Sequence, residues 1–415
     1  MNQPDKKTAR EIIDIVGANG IPPENGAKYF TVGLDTYLSV IEKEYLASFI
    51  KDGGSSFKMV LGVYGSGKTH FLYNVREIAW KHNFVVSYVE LNPDDSPFYK
   101  LELVYQAIVK RLVPPLTPEE RSSGYEKGID SLLRSWFSTE YQKYYKLYKS
   151  NEEMREVLMT NVERIVRIES ISFAKAIKSA FEALLDNREQ DFLNVCQWLR
   201  GEGYNRWIHN KFGILQKIDK TTAFAMIRSL LQWIREIGYS GLIIIFDEAE
   251  RLPSLSSKYK EQHLNNLRVL IDHCGHTDFN GAMLFYAVPD TDFLDGKTQI
   301  YEALKQRVNT VFDEMNPTGV KIDLEKIEIE RTEFLKNVGL KLKNIYEIAY
   351  DYQFVGEDVV KTIDTIAERA YERRHGDKGY TRLFVQEYIK ELHFLRNKGY
   401  PPSNEDLKIE KNNEQ

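Results

Sequence analysis

The sequence predicts an α/β protein built on a parallel sheet, with a helical insertion inside the sheet and a C-terminal helical lid. Three observations carry this. The β-prone run Phe57-Lys58-Met59-Val60-Leu61 passes through the glycine-rich Gly62–Gly67 into a helical pattern with Phe71, Leu72, Val75, Ile78 and Ala79 on one face. The run Gly241-Leu242-Ile243-Ile244-Ile245-Phe246 is apolar throughout, as a strand buried on both faces must be, and ends in Asp247-Glu248. Between and around them, strand-like runs alternate with helical periods, the mark of a doubly wound sheet.

Taken in order, residues 1–56 form an N-terminal helical segment and linker, with Gly53-Gly54-Ser55-Ser56 as a soft joint. Residues 57–115 hold the first part of the core, with Phe84–Glu90 as a strand and Pro93–Pro97 as the loop that ends it. Residues 116–235 follow a helical period and read as an insertion. Residues 236–318 return to the core, with a strand at Ala282–Val288. Residues 319–400 read as the helical lid, and 401–415 as a polar, fraying tail.

The segment Gly62-Val63-Tyr64-Gly65-Ser66-Gly67-Lys68-Thr69 satisfies G-x-x-x-x-G-K-[ST], the Walker A loop of P-loop NTPases. Glycines reach backbone angles that a Cβ forbids, so successive N–H groups converge on phosphate oxygens at the positive end of the next helix. Lys68 is expected to reach the β- and γ-phosphates and Thr69 to hold Mg²⁺, with Tyr64, Gly65, Ser66 and His70 completing the nucleotide contacts. With ordinary residue frequencies such a match arises at roughly 4 in 100,000 positions. Asp247-Glu248 reads as Walker B: Asp247 binds Mg²⁺ through water and Glu248 polarises the attacking water as general base. Taken alone, the same pair is an acidic helix cap after a core strand. ATP and Mg²⁺ are the expected cofactors.

Composition narrows the rest. The chain has 415 residues, 42% hydrophobic and 28% charged, which suits a folded protein and excludes collagen-like and wholly disordered classes. No apolar run approaches the about 20 residues that span a bilayer, and the start Met1-Asn2-Gln3-Pro4-Asp5-Lys6-Lys7 lacks a signal peptide's apolar stretch, so the cytoplasm is expected. Cys196 and Cys274 read as buried thiols. A net charge of -5 argues against a general nucleic-acid coat and leaves a local patch or a partner for any DNA contact. One such patch is Tyr141, Tyr144, Tyr145 and Tyr148 beside Lys143, Lys146 and Lys149; the blander reading is an amphipathic helix with snorkelling lysines. His273, Cys274 and His276 have metal-like spacing with no second ligand pair, and read as a loop.

The stretches Thr8–Ile13, Phe30–Gly33, Gly53–Leu72, Gly213–Asp219, Gly238–Gly241, Asp247-Glu248-Ala249-Glu250-Arg251-Leu252 and Tyr380-Thr381-Arg382 resemble the BREX-system ATP-binding protein family of the BrxD type. The resemblance implies an AAA+/STAND-like ATPase related in layout to origin-recognition (ORC-like) ATPases, acting in bacterial anti-phage defence beside a helicase-like partner. It places Val32 and Gly33 near the adenine, makes Arg307 the arginine finger, in cis or across a nucleotide-dependent homo-oligomer, and makes Arg382 the sensor-2 arginine of the lid. Such ATPases carry a polar sensor at the tip of the strand that here ends Ala287-Val288-Pro289, and this tip has none.

Three functions fit these residues. A remodelling ATPase couples hydrolysis to DNA or to a DNA-bound partner; a nucleotide-gated switch or scaffold assembles a complex with slow turnover; a small-molecule kinase shares the Walker A loop. The acidic pair on a buried strand, in place of an acceptor pocket, argues against the kinase.

Overall fold

Continuous β-branched and aromatic runs make the sheet. Six strands, β1 Ser55–Leu61, β2 Phe84–Glu90, β3 Leu112–Val113, β4 Gly241–Asp247, β5 Ala282–Val288 and β6 Lys321–Asp323, lie in the order β3-β2-β4-β5-β1-β6. The pairs β2–β4 and β4–β5 are parallel, with Glu90 opposite Asp247 and Ile244 opposite Leu284, and β3 joins β2 antiparallel. All seven residues of β4 and of β5 are buried, as strands covered on both faces require. This is an α/β fold of the P-loop-like kind, seen in a computed structural model that describes residues 3–148, 150–249, 255–276, 278–290, 294, 298–326, 329–355, 358–372 and 379–399.

The chain divides into two compact units: residues 1–39, 61–75 and 323–415, and residues 40–60 and 76–322. In the first, the N-terminal helix Lys6–Asn19 shares one core with the C-terminal helices Arg331–Tyr350, Asp358–Glu372 and Tyr380–Lys398. Ile12, Ile13 and Val16 meet Leu335, Leu342, Tyr346, Ile363, Phe384 and Ile389 there. Asp5 caps the N-terminal helix by accepting the Thr8 N–H, and Gly20 ends it in the left-handed region. Thus the segment before the phosphate loop and the lid after it are one hydrophobic body.

The second unit contains nearly all of the sheet and the insertion. Helices Ile129–Tyr145, Asn151–Ile165, Ile171–Leu185, Glu189–Leu199 and Ala223–Glu236 make up most of residues 116–235. The last of these packs on β4 and on helix Leu101–Lys110. Trp136 meets Phe181 at 4.8 Å and Trp233 at 5.8 Å between ring centroids, so the insertion is sewn to the sheet-covering helix by aromatic contacts.

Three sequence expectations change. Ser55 and Ser56 belong to β1 and not to a linker: Ser55 is buried, and its hydroxyl donates to the Cys274 carbonyl at 2.7 Å, so a tertiary hydrogen bond overrides the turn propensity of Gly-Gly-Ser-Ser. His273 and Cys274 lie in the last turn of helix Ser257–Gly275, where His273 pairs with Asp278 and Cys274 is buried; only His276 stands beyond it. The tyrosine stripe outruns its helix, which ends at Tyr145; Tyr141 stacks on Tyr145 and Tyr144 on Tyr148. Lys149 and the tail 401–415 lie outside the described residues. Among the described residues no helix is long and apolar enough to cross a membrane.

Candidate functional site

The phosphate loop belongs to the first unit. It leaves β1 at Leu61 and enters helix Lys68–Lys81, whose first N–H groups open onto it. Gly65 and Gly67 have φ of 83° and 96°, in the left-handed region that favours glycine. A Cβ on Gly62 would stand 2.1 Å from Ser66 Oγ, and one on Gly65 would stand 3.1 Å from the Gly379 Cα. The loop is therefore folded tightly on itself and on the start of the last lid helix. Lys68 is 8% exposed and donates to the Gly62 carbonyl at 2.7 Å and, more weakly, to that of Val63 at 3.4 Å. Its ammonium is thus drawn back across the mouth of the loop.

Two lid residues hold this loop from the same unit. Glu325 accepts the Val63 N–H at 2.7 Å, and Arg382 donates to the Tyr64 hydroxyl at 2.7 Å and to the Asn19 carbonyl at 2.8 Å. Val63, Gly65 and Ser66 border a cavity of about 100 Å³ with Glu325, Arg331 and Tyr380. Ser66 Oγ is buried without a hydrogen-bond partner. An orphaned hydroxyl in a glycine cradle, next to a lysine and a helix N-terminus, has the chemistry that a phosphate oxygen satisfies. The residues present thus fit the phosphates of a nucleoside triphosphate. Neither Glu325 nor Arg331 stands out from sequence, because each reads as one more charge on a helical lid.

His70, one residue past Thr69, faces inward. Its Nε2 lies 2.8 Å from Thr31 Oγ1, its ring meets Phe30 edge-on at 4.7 Å, and Thr31 also bonds Asn74. Burial pushes its pKa down to about 4, with Lys341 adding to the effect, so the ring is neutral near pH 7. Val32, expected near the adenine, is buried in the core of this unit, and Gly33 follows with φ of 74°.

The acidic pair belongs to the second unit. Asp247 ends β4 and is 3% exposed, while Glu248 is exposed. Asp247 Oδ2 accepts the Tyr88 hydroxyl at 2.6 Å and Oδ1 accepts the Glu248 N–H at 2.9 Å. Glu248 has φ of 59°, a left-handed conformation rare for a residue with a side chain. Arg307, on helix Gln299–Val308, bonds Asp272 through Nε at 2.6 Å and Nη2 at 3.1 Å, and the Ala303 carbonyl at 2.8 Å. Ala249 is buried, and Glu250, Arg251 and Leu252 lie outside the described residues.

The expected residues therefore fall into two sets. Val32, Gly33, Gly62 to His70 and Arg382 stand in one unit, with Tyr64 and Arg382 in direct contact; Asp247, Glu248 and Arg307 stand in the other. Among the described residues no group of three or more His, Cys, Asp or Glu is placed to hold a metal ion by itself.

With this geometry in place, comparison adds the family. Residues 5–410 match the family described as BREX system ATP-binding protein BrxC/D, and the chain belongs to it. It is an ATP-binding protein of a BREX defence system. No curated protein and no solved structure matches the chain.

Proposed function

From that membership, we propose that the chain binds ATP with Mg²⁺ through Gly62 to Thr69, hydrolyses it with Asp247 and Glu248, and couples the cycle to DNA or to a DNA-bound, helicase-like partner in the defence system. The observation that carries the reading is the phosphate loop itself: left-handed glycines, the orphaned Ser66 hydroxyl and a buried Lys68 converge ahead of a helix N-terminus.

In this reading Lys68 exchanges the Gly62 carbonyl for phosphate oxygens, a stronger, charge-assisted partner. Thr69 and Asp247 are the residues that would hold Mg²⁺, and the ion would supply positive charge to the phosphates when bound. Glu248 orients and deprotonates the attacking water, for which its exposed side chain is suited. Val32 and Gly33 take the adenine side, with His70 behind the loop. Arg382, already against Tyr64, serves as the lid's γ-phosphate sensor. Arg307 acts as the arginine finger on a neighbouring copy and must then release Asp272.

One observation favours the slower, switch-like form of this function. The tip of β5, Ala287-Val288 running into Pro289, offers no side-chain donor to hold a water, so turnover can lag behind binding. Steady-state ATP turnover with Mg²⁺, with and without duplex DNA, decides. Several-fold stimulation by DNA is expected for the coupled ATPase. Tight binding with negligible turnover in both conditions means a switch, and failure to bind ATP overturns the assignment of the loop.

A further inference from the structure

The tip of β4 is held by a residue that the motifs do not include. In the parallel register of β2 and β4, Tyr88 lies opposite Ile245 and Glu90 opposite Asp247. Alternation puts Tyr88 and Asp247 on one sheet face, one diagonal step apart, a distance that a phenol spans. The hydroxyl lies 2.6 Å from Asp247 Oδ2, and Tyr88 is only partly buried, so the bond forms at the margin of the core. The other carboxylate oxygen accepts the Glu248 N–H at 2.9 Å. That second bond braces a backbone with φ of 59°, a strained conformation for a residue with a Cβ. A donor on each of the two oxygens sets the plane of the carboxylate.

We propose that Tyr88 is a positioning residue for magnesium: through its hydroxyl it orients Asp247 for the ion and, through Asp247, holds Glu248 in the left-handed conformation that turns its side chain outward. A carboxylate that serves a metal needs an outer partner to set its plane, and loss of such a partner typically costs 10–100-fold in metal affinity. The inference rests on the reading that Asp247 serves Mg²⁺.

The test is a titration of the intact chain with a fluorescent ATP analogue, in Mg²⁺ and in EDTA, for the wild type, Tyr88→Phe and Asp247→Asn. Tyr88→Phe removes one oxygen and keeps the ring. The gain in affinity that Mg²⁺ confers is expected to fall about tenfold in Tyr88→Phe, with affinity in EDTA unchanged, and to vanish in Asp247→Asn. A wild-type Mg²⁺ response in Tyr88→Phe overturns the proposal. So does an equal loss in EDTA, which reduces Tyr88 to a support of the fold. Failure of the underlying reading looks different: Asp247→Asn keeps the full Mg²⁺ response, and the inference falls with it.

Discussion

The chain adopts left-handed backbone at its two functional tips by opposite means. In the phosphate loop, Gly65 and Gly67 take φ of 83° and 96° at no steric cost, and the space left by the missing side chains is the cradle. At the end of β4, Glu248 takes φ of 59° with a full side chain, held by its own N–H on Asp247, which is held in turn by Tyr88. The loop is thus shaped by what it lacks and the tip by a chain of side-chain hydrogen bonds. The difference teaches a division of labour: damage to the loop should appear in nucleotide affinity, and damage to the tip in metal use and chemistry.

The largest effect expected at the tip is that of Glu248→Gln, which keeps the shape and removes the proposed base. Turnover should fall by about 10²–10⁴-fold while ATP affinity stays within a few-fold, read from single-turnover hydrolysis beside equilibrium binding. Unchanged turnover would mean that another group orients the water. The reverse split is expected for Gly62→Ala. Its new Cβ would stand 2.1 Å from Ser66 Oγ and 3.0 Å from Ser66 Cβ, so the hydroxyl must leave its place in the cradle and the Ser66 side chain must give way, at a strain of about 1–3 kcal/mol, and ATP affinity should drop about tenfold or more. If both variants alter the same quantity, the division of labour is wrong.

A third effect reads the loop through pH. His70 titrates about 4 when folded, against an ordinary 6.5. Between those values the unfolded chain binds a proton at this site that the folded chain does not, so stability falls as pH drops from 6.5 to 4 and levels off below. His70→Gln should flatten that part of the melting-temperature profile by up to about 3 kcal/mol in equivalent stability. His263 in the other unit, its pKa pushed down to about 3 by burial, contributes in the same direction and remains in the variant. Only the difference between the two profiles therefore reports on the loop.

Much of this architecture was legible in the chain itself. β4 up to Phe246 and the whole of β5 carry unbroken apolar runs that only a buried strand explains, and the helical period after Arg331 marks the C-terminal helices. Gly62 to Thr69 names its own chemistry. What stayed hidden are pairings across sequence distance. Tyr88 looks like any aromatic in a strand, since period 2 gives a face but not the partner on it. Lys58 reads as an exposed charge in β1, yet it is 1% exposed and donates to Tyr45 Oη at 2.7 Å and to the Gly319 carbonyl at 2.5 Å. Glu325 gives no local signal that its carboxylate will accept the Val63 N–H. The union of the N-terminal helix with the lid was hidden for the same reason: each segment shows an apolar face, and neither says which face covers it.

The central claim is that Gly62 to Thr69 is the ATP site, and it is tested most directly by equilibrium titration of ATP with Mg²⁺ on the wild type and on Lys68→Ala. Lys68 contributes the motif's only cation, so the variant should bind ATP at least about 100-fold more weakly while keeping its melting temperature. Equal affinity in the two proteins would contradict the assignment and send the nucleotide elsewhere.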